Sequence, residues 1–324
     1  MAKNPKNRKA PASKGRASSA PAPPPDLPPF DRRLMDRTML QIQKVLSEHE
    51  FTSIDEANAF MREMMTQDGL PEPQPRTPQE EAQELMFEAF EADGRRRADL
   101  ARKALSIDPD CADAYVLLAE ETAKSPREAL QLYCKGVQAG ERSLGPEVFK
   151  EAAGHFWSMV ETRPYMRAMA GQAEAFLLVG QRDDAISTWH RMIELNPGDN
   201  QGVRDFLVSS LLGEKRTEEA GKLLEQYGDS GGASWDFSTA LWLFQKEGAS
   251  PAAERALRAA IKANKYVAPY LAGLKMPGPM PHSYSFGGPD EALIYTHESL
   301  LAWYATTGAI RWLCRVLGID DSTG

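Results

Sequence analysis

Cysteine is scarce in this chain. Cys111, Cys134 and Cys314 are all that 324 residues carry; they stand far apart, and no Cys-x-x-Cys pair occurs. That argues against a disulfide framework and a zinc site as organising features. The expectation is three free thiols in a reducing cytoplasm. Long apolar runs are missing too: none approaches the ~20 residues of a membrane span. The basic N-terminus lacks the apolar core of a signal peptide. The chain is therefore expected to be cytoplasmic, with no membrane partner. Strand alternation between hairpin turns is absent, which argues against a sheet. So are two signatures of nucleotide and dinucleotide binding: no P-loop and no Gly-x-Gly-x-x-Gly occurs. His297-Glu298 is not a metalloprotease motif, because Leu301 stands where the second histidine is needed. The five histidines, at 49, 155, 190, 282 and 297, are scattered. No enzyme activity, cofactor or metal is expected.

Charge is present but uneven. The chain carries a net −8. Residues 1–29 hold six cations against Asp26, a net of +5, which leaves −13 for the remainder. An acidic body argues against nucleic acid as the main ligand, while the tail leaves a weak RNA contact open. The tail is rich in Pro, Ala, Ser and Lys and has few apolar residues to bury, so it reads as disordered.

The length suffices for a sizeable core, and the Ala, Leu, Met and Glu content favours helix. Met35, Met39, Ile42 and Leu46 recur at helical spacing and predict one apolar face. Ser53 and Glu56 form a capping box that opens a helix with Ala57, Phe60, Met61 and Met64 inward. Residues 71–78 read as a linker that ends this N-terminal segment, 30–70. Thr77 with Glu80, and Ser125 with Glu128, repeat the capping device. Pro146, Pro164, Pro251 and Pro289 mark further helix starts.

The most informative feature is self-similarity. In residues 168–197, small Ala173 and a turn at Gly180 precede Ala185, Trp189, Met192 and Pro197, spaced four, three and five. This resembles the tetratricopeptide repeat, in which Ala-x3-aromatic packs the second helix and proline ends it. Partial units cover 98–109, 112–136 and 199–227. Ala129 to Ala185 is too long for one repeat and too short for two, because about 145–160 adds a further helix, with Val148, Phe149, Ala152, Phe156 and Met159 on one face. The expected fold is all-α: an interrupted tetratricopeptide-like solenoid over 79–227, a helical cap over 228–318 and a short tail, 319–324. Stacked pairs bury a continuous core and leave a groove.

Several blocks together carry a wider resemblance: AQELMFEAFEA (82–92), CADAYVLLAEETA (111–123), GHFWSMVETRPYMRA (154–168), NKYVAPYLAG (264–273) and GGPDEALIYTHESLLAW (287–303). They resemble bacterial tetratricopeptide-repeat proteins of unassigned function, which share a helical region with the eukaryotic suppressor-of-tumorigenicity-seven family. The resemblance implies a helical-repeat fold and no known reaction.

Two sets of residues are candidates for function. Repeat alignment places Glu120, Glu174 and Arg204 at groove-facing positions of first helices; with Arg167 they form the candidate surface for a protein or peptide partner. Only Arg204 has the charge of a chaperone-type carboxylate clamp, which argues against that activity. The second set is His155, Trp157, Glu161, Arg163 and Tyr165. Read functionally, it is a small-ligand or catalytic site: arginine for an anion, tryptophan for stacking, His or Glu for protons. Read structurally, it is a corner held by a Glu161–Arg pair around core aromatics. The leading expectation is an interaction scaffold. The long Pro/Gly-rich loop 275–291, with Tyr284 and Phe286, is either functional or a plug between the last helices.

Overall fold

The computed structural model describes residues 31–67, 77–228, 231–281 and 283–319. The tail 1–29, His282, the end 320–324 and most of the 71–78 linker lie outside the described residues, as do the expectations about them. The described residues form fifteen α-helices, two 3-10 turns and no strand. None of the helices is long and apolar enough to cross a membrane.

The first helices are α1 (Leu34–Ser47) and α2 (Ile54–Gln67). α3 (Pro78–Glu91) begins at the expected box: Thr77 Oγ1 accepts from Glu80 N, and Glu80 Oε2 accepts from Thr77 N. α4 (Arg95–Ile107) and α5 (Ala112–Thr122) follow. At α6 (Pro126–Glu151) the cap Ser125 accepts from Glu128 N, but Glu128 reaches back to Lys124 N instead of closing the box. The Ser53 cap differs in the same way, since Glu56 bonds Thr52 N.

The additional helix expected over 145–160 is shorter. Gly145, at φ 66°, kinks α6, which stops at Glu151. A turn with Gly154 at φ 84° and two 3-10 turns, Phe156–Ser158 and Val160–Thr162, lead into α7 (Arg163–Leu178). Thr162 Oγ1 donates to the carbonyls of Phe156 and Met159, and so ties the two 3-10 turns into one corner.

Then come α8 (Arg182–Leu195), α9 (Val203–Gly213), α10 (Thr217–Tyr227), α11 (Gly232–Glu247) and α12 (Pro251–Ala263). The short α13 (Val267–Leu271), α14 (Pro289–Ala305) and α15 (Ala309–Leu317) complete the order. From α3 to α12 each helix packs on the next. In addition α3 touches α5, α5 touches α7, and α9 touches α11, so these helices neighbour one another across the intervening one. α14 lies against both α9 and α11, and α1 lies against α3.

The core divides into two apolar clusters. One joins α3, α4 and α5 around Met86, Phe87 and Leu117; the other runs from Ala152 to Leu313. Between them α6 and α7 approach closely through glycine. A Cβ on Gly171 would stand 2.2 Å from the ring of Tyr133, and one on Gly140 would stand 2.9 Å from Tyr165. Trp189 is 1% exposed and stacks on Phe206 with ring centroids 5.9 Å apart. Its burial is as the Ala185-x3-Trp189 spacing predicts; its ring partner lies on α9, in the following unit.

Truncating that ring leaves a cavity that its neighbours cannot fill. Trp189→Ala is expected to cost about 3–5 kcal/mol, read as a lowered midpoint in urea unfolding. A midpoint equal to the parent's would remove Trp189 from the core.

Candidate functional site

The ETRPYMR corner begins with Arg163 at the first position of α7, one turn before Arg167. Both guanidinium groups turn away from Glu161, contrary to the expected local pair, and meet carboxylates from distant helices. Arg167 donates from Nε and Nη2 to the two oxygens of Asp113 on α5, at 2.8 and 2.6 Å. Its Nη1 donates to Asp36 Oδ2 on α1 at 2.7 Å. Arg163 donates from Nη1 to the other oxygen of Asp36 and from Nε to the Trp157 carbonyl, at 3.0 Å. Asp113 is fully buried and Asp36 nearly so. Two arginines and two aspartates thus form a charge-balanced chain through α1, α5 and α7. Burial opposes charge on Arg167, but Asp113 and Asp36 outweigh it and hold its pKa above the ordinary value.

The remaining members of the second candidate set do not converge on a pocket. His155 and Glu161 are exposed, and Glu161 accepts from Gln43 of α1. Trp157 stacks beside Arg163, 5.3 Å from the guanidinium carbon to the ring centroid. Tyr165 is buried edge-on against Phe149, and burial pushes its phenol up to about 12. An open cleft of about 610 Å³ next to this corner, lined by Glu141, Phe149, Tyr165, Gln172 and Arg191, contains only Tyr165 of the set.

Of the partner-surface candidates, Arg167 is committed to Asp36 and Asp113. Arg204 also differs from expectation. It does not stand free on its helix; its guanidinium lies over Tyr227 and Trp235, 5.1 and 5.7 Å from the ring centroids, with Nε 3.7 Å from Asp199. The faces of two aromatics attract this cation, so Arg204 joins α9, α10 and α11. Asp199 caps α9, accepting from Val203 N and Arg204 N.

Glu120 and Glu174 do share a face. Glu120 accepts from Arg33 of α1 at 3.0 Å. Glu174 is exposed by area, yet protein surrounds it closely enough to raise its pKa, helped by the charge of Glu120. Two carboxylates not singled out by the sequence continue the row. Burial lifts Asp205 of α9 to about 6, with Asp199 and Glu291 adding to it and Arg204 opposing. Glu298 of α14 rises to about 8, through burial first and then Asp205 and Glu174, with Ser234 partly offsetting. Its Oε2 is buried without a hydrogen-bond partner. The row Glu120, Glu174, Glu298, Asp205 therefore lies between α1 and α14 and repels itself.

Removing Arg167 would strand buried Asp113. Arg167→Met is expected to cost about 3–5 kcal/mol. The double variant Arg167→Met/Asp113→Leu should lose less than the single, since Asp36 keeps Arg163. Urea unfolding of parent, single and double checks this; a double less stable than the single would contradict a stranded-charge origin.

Comparison with known proteins adds two findings. The family model described as ST7 protein matches residues 75–155, which span α3 to α6 and include Asp113 and Glu120. The chain is 25% identical over 276 residues to the Protein ST7 homolog of Caenorhabditis elegans, an alignment that covers 71% of this chain and 49% of that protein. The chain thus spans about half the length of the curated relative it matches, and both likenesses are to proteins described as ST7.

Proposed function

We propose that the chain is a non-catalytic, tetratricopeptide-like adaptor, working in the cytoplasm, that holds a protein or peptide partner on the face between α1 and α14. The observation that carries this reading is the row of carboxylates there. Four acids crowd together, Glu120 alone of them has an ion pair among the described residues, to Arg33, and burial raises two of the others to about 6 and 8. Carboxylates held against their preference have unspent capacity to accept hydrogen bonds. A partner segment bearing lysine or arginine would relieve the repulsion, and its backbone would run along the first helices of successive pairs. The order of packing, each helix on the next with α5 beside α7 and α9 beside α11, supports the helical-repeat reading. No observation favours a small-ligand or catalytic site at the ETRPYMR corner, whose arginines are engaged in ion pairs.

Glu174 is the residue to test, because it is exposed and its loss should not disturb the core. Glu174→Lys should leave the melting temperature within a degree or two of the parent's. It should also remove proteins that the parent captures from native cells, as identified by mass spectrometry. An unchanged capture profile would overturn the assignment of this face.

Glu298 provides a pH test. Its folded pKa of about 8 lies above the ordinary 4.5. The stability associated with the protonated form is complete below the ordinary value and is lost as pH rises through about 8. The melting temperature should therefore decline from about pH 5 to about pH 9, and Glu298→Gln should flatten that decline. A cationic partner should bind more tightly over the same rise, as Asp205 and Glu298 ionise. A decline unchanged by Glu298→Gln would place its origin elsewhere.

A further inference from the structure

The adaptor face leaves one conspicuous surface unused. From Arg255 to Pro289 the chain has no acidic residue, although the chain as a whole is acidic; it has Arg255, Arg258, Lys262, Lys265 and Lys275. Within this stretch the loop after α13 exposes large apolar side chains. Met276 is 83% exposed and Phe286 74%, and Met280 and Tyr284 are also exposed. Tyr284 and Phe286 pack edge to face, 5.7 Å between centroids, and so form a two-ring unit. They do not plug a gap between helices.

The loop runs back along α14 and is tied to it. His297 Nε2 donates to the Gly278 carbonyl at 2.8 Å, which fixes the proton on that nitrogen. At the far end of α14, Gly273 lies beside the Tyr304 hydroxyl. Between these ties, Leu301 and Tyr304 turn outward on the same stripe as His297, and Leu301 is 73% exposed. The loop is anchored at its base as well, since Leu274 N and Lys275 N both donate to the Pro269 carbonyl. Lys265 and Lys275 stand over Tyr266 and Tyr270, with Nζ 5.3 and 4.7 Å from the centroids. One cation is thereby held on exposed Tyr266, and the other, next in sequence to exposed Met276, on buried Tyr270.

We propose that this loop and the outer stripe of α14 form a second docking surface, for an acidic, amphipathic segment of a partner protein. Exposed apolar residues grouped in this way mark interaction sites, and Met and aromatic residues are the types enriched at such interfaces. The absence of acidic residues from Arg255 to Pro289 selects the charge of the partner. Carboxylates on its polar face meet Lys265 and Lys275 while its apolar face covers Met276, Phe286 and Leu301. The backbone ties to Pro269 and His297 hold the loop in place before binding, which lowers the ordering cost.

The test is a displayed library of random peptides, panned on the full chain. Counter-selection uses the full-length variant Met276→Ser/Lys275→Glu/Leu301→Ser, which changes exposed side chains only and whose melting curve is checked first. The expected result is enrichment of sequences with net negative charge and apolar residues at i, i+3 and i+4. A labelled peptide from that pool should bind about tenfold more weakly to the variant, and more weakly in high salt. It should bind unchanged to Glu174→Lys, which separates this surface from the adaptor face. The proposal is overturned if basic peptides are enriched instead, or if every enriched peptide binds the triple variant as tightly as the parent. Variant-sensitive sedimentation with phosphatidylserine–phosphatidylcholine vesicles in the absence of peptide binding would also overturn it, as would a variant-sensitive dimer of the chain itself.

Discussion

Arg167, held between Asp36 and Asp113, is the interaction on which the placement of α1 depends. α1 offers modest apolar packing besides: Leu34 and Leu40 lie against the first cluster and Val45 is buried. Met35 and Met39, half of its apolar stripe, are exposed, and Ile42 and Leu46 are only partly covered. It also turns charge inward. Arg33 pairs with Glu120, Arg37 with Glu84, Lys44 with Glu80, and Asp36 with both arginines of α7. The peripheral pairs are partly hydrated and each contributes little. The central chain differs because Asp113 has no solvent at all. Taking such groups out of water is costly, and it is tolerated only when nearly every donor and acceptor finds a partner. Here Arg167 uses Nε and both Nη atoms, and Asp113 also accepts from Gln83. The geometry works in a single register, so the network fixes where α1 lies more than it adds net stability.

That placement shapes the proposed partner face. α1 covers the beginning of the row of first helices and α14 covers its end against α9 and α11. The acidic row is what remains between them. A stacked helical array leaves such a face open along its length; here the chain closes both ends with its own helices. The segment a partner could place there is correspondingly short, and its recognition rests on charge more than on apolar burial.

Much of the fold is legible in the sequence because it is locally encoded. The Thr77 cap and the burial of Trp189 each depend on residues within a few positions or on one helical period, and each stands where the spacing puts it. The misplaced features are those decided by distant partners. Nothing near Asp36 announces two arginines more than a hundred positions away, so its helix reads as apolar and Arg163 reads as the partner of Glu161. The helix expected through 145–160 has an apolar period, but Gly154 adopts a left-handed φ and Thr162 binds two carbonyls of the turn, and those bonds override periodicity. Arg204 reads as a free cation because Tyr227 and Trp235, its ring partners, lie on other helices. Asp205 and Glu298 look like ordinary solvated acids in the sequence; only the approach of α14 to α9 makes them neighbours.

The two surfaces meet on α14, and their chemistry is opposed. Glu298 belongs to the acidic row, while one turn away Leu301 joins the apolar stripe beside a loop without carboxylates. A lysine-rich segment suited to the first surface would meet Lys265 and Lys275 if it drifted onto the second. An acidic amphipathic segment would meet the carboxylates of the acidic row if it moved the other way. Specificity is a difference between affinities, and like charge placed against the wrong partner enlarges that difference as effectively as a new contact with the right one. Under the two proposals, a chain of net −8 that places five cations and no acid between 255 and 289 would keep two partners apart by electrostatics, with a single helix as the boundary.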